Sequence, residues 1–110
     1  MLLIVTDGQG NAQTVAVKAQ EIVVDYSGSI TTTNQSQQLL AVNSLRSGWI
    51  MQNQGDNPMR VNEIGQDAQV TASFLVAPKG GIFPPENFPL TTAQVNIAGT
   101  AGDTYTVREW

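Results

Sequence analysis

Residues 46–65, RSGWIMQNQGDNPMRVNEIG, carry the strongest local pattern in the chain. Two runs with period-two alternation flank a polar link. In residues 48–53, Trp49 and Met51 share one face. In residues 58–64, Met59 and Val61 share one face, and Arg60 and Asn62 the other. The link, Gln54-Gly55-Asp56-Asn57, consists of residues that tolerate positive φ or bond their own backbone. The simplest expectation is a β-hairpin with one face in a core.

The same pattern extends outward on both sides. Residues 22–26 read as a strand with Ile22, Val24 and Tyr26 on one face and Val23 and Asp25 on the other. Ser27-Gly28 permits a bulge or bend, and residues 29–33 continue the strand. Residues 37–42 fit a short strand or one to two helical turns. Residues 70–77 form a strand with Phe74 and Val76 facing one way. Residues 82–90 contain Pro84, Pro85 and Pro89, which remove ladder donors. They read as a surface crossover between sheets, with its aromatic residues as lids on the core. Residues 92–97, with Val95 and Ile97 in phase, and 104–110, with Tyr105 and Val107 in phase, complete the set. At the front, residues 2–6 and 12–18 flank an Asp7–Asn11 turn as a second hairpin or an extended arm, and residues 19–21 form a joint. The expectation is an all-β chain: a jelly-roll-like antiparallel β-sandwich of roughly eight short strands over residues 21–110, with an N-terminal hairpin or docking arm over residues 1–20.

A chain of 110 residues suits one domain with a real core. Charged residues make up 13 % and the net charge is −4. The surface this implies is polar but largely uncharged, which suits contact with protein or sugar because little full charge must be desolvated. Lys18, Arg46, Arg60, Lys79 and Arg108 are scattered, which argues against nucleic acid. Residues 1–5 are apolar but lack a basic n-region, and the run stops at Thr6-Asp7. The expectation is therefore synthesis in the cytoplasm without an export signal, and no membrane segment.

The chain has no Cys and no His, which removes disulfides, thiolates and the commonest general base and metal ligand. A Ser/Lys dyad would need Lys18 or Lys79 buried beside a serine, and both stand at turns or edges. Paired carboxylates are the remaining route to acid–base work, through a convergence of Asp56, Glu63, Asp67 and Glu86, and these read as solvated turn residues. Asp7-Gly8-Gln9-Gly10-Asn11 departs from a calcium loop at its third position and lacks the bidentate Glu. No enzyme, no cofactor and no metal is expected. Among the aromatic residues Trp49 reads as core. Trp110 reads as a contact residue, because leaving an indole wet forfeits roughly 2 kcal/mol of burial. Leu2, Leu3, Ile4 and Val5 are unusually apolar for a chain end and are expected to dock.

Several stretches resemble small tailed-bacteriophage virion proteins of the capsid decoration (cement) or head-fibre type. They are Arg46-Ser47-Gly48-Trp49-Ile50-Met51-Gln52-Asn53 followed by Asn57-Pro58-Met59-Arg60-Val61, Ser27-Gly28-Ser29-Ile30-Thr31 with Gln37-Gln38-Leu39, and the ending from Val95 to Trp110. The resemblance covers about residues 22–110 and leaves the N-terminal hairpin outside it. It implies a structural protein on the outer capsid surface of the virion. Such a protein binds the major capsid protein and self-associates as a homotrimer, with no reaction of its own and neither nucleic acid nor membrane as partner. The other reading of the residues is a receptor- or carbohydrate-binding β-module of a fibre or tail, carried by the Asn/Gln-rich surface and the available Trp and Tyr.

Overall fold

The computed structural model describes residues 2–6, 12–16, 22–69 and 72–110, with side chains from residue 22 onward. All of its regular elements are strands. β1 (Leu2–Thr6) pairs antiparallel with β2 (Ala12–Ala16), from Leu2 opposite Ala16 to Thr6 opposite Ala12. The expected turn at residues 7–11, the joint at 19–21, and Lys18, Val70 and Thr71 lie outside the described residues.

The remaining strands are β3 (Val24–Asp25), β4 (Gly28–Ser29), β5 (Gln37–Leu40), β6 (Trp49–Asn53), β7 (Met59–Asn62), β8 (Phe74–Val76), β9 (Gly81–Phe83), β10 (Val95–Ala98) and β11 (Thr104–Glu109). β3 and β4 keep a single register along β11, with Val24 opposite Glu109 and Ser29 opposite Thr104, so Ser27-Gly28 inserts no extra residue. Between them the Val107 amide donates to Ser27 Oγ, which replaces one backbone acceptor in the ladder. Counted as one strand, β3/β4 gives eight strands whose pairings are nested. The first pairs with the last (β3/β4 with β11), then β5 with β10, β6 with β9 and β7 with β8. Rolling this long double ribbon brings β11 beside β6 and β10 beside β7. The result is two antiparallel sheets, β3/β4–β11–β6–β9 and β5–β10–β7–β8, the arrangement of a jelly roll.

The opening stretch is thus corrected in one respect. β6 and β7 have the predicted faces, with Trp49, Met51, Met59 and Val61 all buried, but they do not pair. They lie in opposite sheets, and the link between them is an arch. Alternation shows which side of a strand is buried. It does not show whether the next strand continues the same sheet or crosses the core. The crossing is held by Asn53, which continues the inward phase of β6 and is fully buried. Its Oδ1 accepts from the Gly55 amide at 2.8 Å, and its Nδ2 donates to the carbonyls of Asn57 (2.9 Å) and Val76 (3.2 Å). One side-chain amide therefore supplies the partners that a hairpin ladder would otherwise provide.

The core is filled by Trp49, Met51, Phe83, Tyr105 and Val107 from one sheet and Leu40, Met59, Val61, Val76, Val95 and Ile97 from the other. Leu39 and Leu40 are both buried because the register of β5 on β10 slips between them, with Gln38 opposite Asn96 and Leu40 opposite Val95. That bulge excludes the helical alternative for this segment. The prolines after β9 confine that strand to three residues. The expected aromatic lid is present beyond it: Phe88 packs edge-on to Phe83 and Phe74, with centroids 5.1 and 5.4 Å apart. Of the expected strand at residues 22–26, Val24 and Asp25 form the regular element, and at this sheet edge Ile22 is 73 % exposed and Tyr26 half-exposed.

Candidate functional site

The two sheets turn very different outer faces to their surroundings. On the second sheet, Asn62 and Asn96 point away from the core yet are buried. The chain after β7 folds back over them. Asn62 Oδ1 accepts from the amides of Ile64 (3.2 Å) and Gln66 (2.9 Å), and Asn96 Nδ2 donates to the Gln66 carbonyl at 2.8 Å. The Ala68 amide donates to Ser36 Oγ at 3.0 Å and fixes the far end of this cover. Beside the cover, an open cleft of about 470 Å3 runs over β7, β10 and β8 to the loops at one end of the roll.

Among the described residues no such cover lies over the outward positions of the first sheet. Ile50, Ile82, Thr106 and Arg108 line a shallow groove of about 160 Å3, with Ile50 and Ile82 exposed. Arg108 Nε lies 3.5 Å from Asp25 Oδ1, with both side chains more than half exposed. Ser27 Oγ donates to the same carboxylate at 2.5 Å. That bond, more than the Arg108 charge, holds the Asp25 pKa below its ordinary value. Trp110 extends this sheet by pairing with Gly48: its amide donates to the Gly48 carbonyl at 3.0 Å, and its carbonyl accepts from the Gly48 amide at 2.9 Å. The indole rests on Gly48, where a Cβ would stand 2.5 Å from the ring, and the residue remains 37 % exposed.

The predicted contact residues fall in two places. Trp110 belongs to the first sheet. Leu2, Leu3, Ile4 and Val5 are in β1, which is paired with β2, and their side chains lie outside the described residues. Of the four carboxylates considered for catalysis, Asp67 accepts from the Gln69 amide in its own turn. Glu63 Oε2 is buried without a hydrogen-bond partner among the described residues. Among the described residues no three acidic side chains gather as a metal ion would require.

Sequence reasoning misses a buried ion pair, because it reads Arg46 only as one of five scattered basic residues. Its Nε lies 2.6 Å from Glu109 Oε2, and its other nitrogens donate to the carbonyls of Thr91, Ala93 and Ala41. A signal was present. Glu109 continues the inward phase of Tyr105 and Val107, and a carboxylate placed there requires a buried cation. No protein-family model, curated protein or solved structure matches this chain.

Proposed function

We propose that this chain is a structural protein of a tailed-bacteriophage virion. It decorates the outer surface of the head and strengthens contacts between major capsid protein subunits, acting as a homotrimer and catalysing no reaction. The family comes from the resemblance of residues 22–110. The observation that best supports a docking role is the hairpin β1–β2, a two-stranded sheet separate from both sheets of the jelly roll. An isolated two-stranded hairpin is at best marginally stable in water. One carrying Leu2, Leu3, Ile4 and Val5 gains its stability by adding to, or lying on, a larger body. The bare apolar groove and Trp110 on the first sheet provide a second contact surface, suited to sister subunits. Many copies on a symmetric shell multiply such contacts through avidity.

The test is deletion of residues 1–20 followed by decoration of undecorated heads. Loss of binding with an unchanged melting temperature of the remaining chain is expected. Full occupancy by the shortened chain would remove the hairpin from the attachment. Light scattering of the purified full chain should report a trimer.

A further inference from the structure

We infer that the cleft on the second sheet is a binding site for a carboxylated sugar, a uronate-type residue of an acidic glycan, with Arg60 as the carboxylate anchor. Arg60 stands on the outer face of β7 and is exposed, and its guanidinium makes no hydrogen bond or ion pair among the described residues. The other two arginines are both paired with carboxylates. Among the described residues no Asp or Glu lines the cleft. The nearby Asp103 carboxylate is held by a residue of the cleft wall, its Oδ2 accepting from the amide and side chain of Asn57 at 3.1 and 3.2 Å. An unpaired guanidinium in a chain of net charge −4 presents a planar fork that matches one carboxylate through two parallel hydrogen bonds.

The surroundings select the rest of the ligand. Asn34, Gln69 and Thr100 place neutral donors and acceptors around Arg60, and Asn57 adds a side-chain amide whose Nδ2 donates to Asp103. The amide and hydroxyl groups of Asn34, Gln69 and Thr100 match the paired donor and acceptor character of ring hydroxyls. Leu75, 65 % exposed, offers an apolar patch for the C–H face of a ring. The volume of about 470 Å3 lies within the span of small-ligand sites, ~300–1,000 Å3. The walls are laced in advance: the Asn34 amide donates to the Gly99 carbonyl at 2.8 Å, and the Ala101 amide to Thr33 Oγ1 at 2.9 Å. A single cation is too little for a polyphosphate or nucleic acid. A peptide joining by strand addition would find β7 and β10 already paired on both sides. The site does not depend on where the chain sits in a particle.

The test is an NMR titration of the intact chain with a hyaluronan tetrasaccharide, using chitotetraose as the neutral counterpart and a Glu-containing peptide as a protein carboxylate. Saturable shifts are expected at the Arg60 Nε and at the side-chain amides of Asn34, Asn57 and Gln69, with a Kd in the ~0.1–10 mM range and weaker binding of chitotetraose. Arg60→Gln should weaken the acidic sugar about tenfold or more. Arg60→Lys, which keeps the charge and loses the fork, should lie between, and it decides the same question if Arg60→Gln fails to fold. Absence of shifts at about 10 mM sugar, or equal binding by the substituted chains, overturns the proposal. So does a peptide that binds as well as the tetrasaccharide, which would make the ligand a protein carboxylate.

Discussion

The outer faces of the two sheets solve the same problem in opposite ways. The second sheet carries asparagines outward and buries them beneath its own chain, with Asn62 and Asn96 each bonded to the covering backbone. The first sheet carries Ile50 and Ile82 outward and leaves them exposed. In a sandwich the outward positions are ordinarily polar and wet. Here Asn62 and Asn96 mark the part of a face the chain has closed for itself, and Ile50 and Ile82 mark a part left open.

The comparison presupposes that the layers are clamped together, and Arg46 is the clamp. It joins the carbonyls of Ala41, Thr91 and Ala93, which flank β5 and β10, to Glu109 on β11. Arg46→Met leaves Glu109 buried without its cation and should cost about 3–5 kcal/mol, read as a lowered denaturant midpoint. Adding Glu109→Leu should recover much of that loss, because an apolar pair of similar volume needs no desolvation.

A smaller effect sharpens the contrast between the faces. Asn62→Ala removes the acceptor for the Ile64 and Gln66 amides and should cost about 1–3 kcal/mol, with faster hydrogen exchange at Gln66. Ile50→Thr on the bare face should change stability by no more than about 0.5 kcal/mol. Equal losses from the two substitutions would show that the open face is packed after all.

The smallest effect concerns Asp25. Its pKa is lowered in the fold, mainly by Ser27, from a reference of 3.8. The folded carboxyl thus binds its proton less readily than the unfolded one. Its contribution is complete above about pH 4 and fades as the pH falls through 3.8 and then through the lower folded value. The group is more than half exposed, so Asp25→Asn should only slightly flatten the acid limb of the stability profile, in a salt-sensitive way.

The all-β architecture and most buried faces were legible because period-two alternation directly reports which side of a strand is dry. Trp49, Met51, Val61, Val95, Ile97 and Val107 were placed by that rule alone. Partner choice was not legible. The same alternation fits a hairpin and an arch, and the crossing depends on the hydrogen bonds of a single side chain, Asn53. The inward phase of Asn53 and Glu109 was visible, but it named no partner, and Arg46 lies 63 positions from Glu109. The cleft was invisible for the same reason. Asn34, Arg60 and Thr100 come from separate stretches that meet only when the ribbon is rolled.

The nested pairing has a consequence for assembly. β11 lies between β3/β4 and β6, so the first sheet remains two disconnected fragments until residues 104–109 insert between them. The domain therefore cannot grow progressively from its N-terminal side, and its non-local topology favours slow folding. Removing the last seven residues would take out an interior stave of the barrel rather than trim a tail.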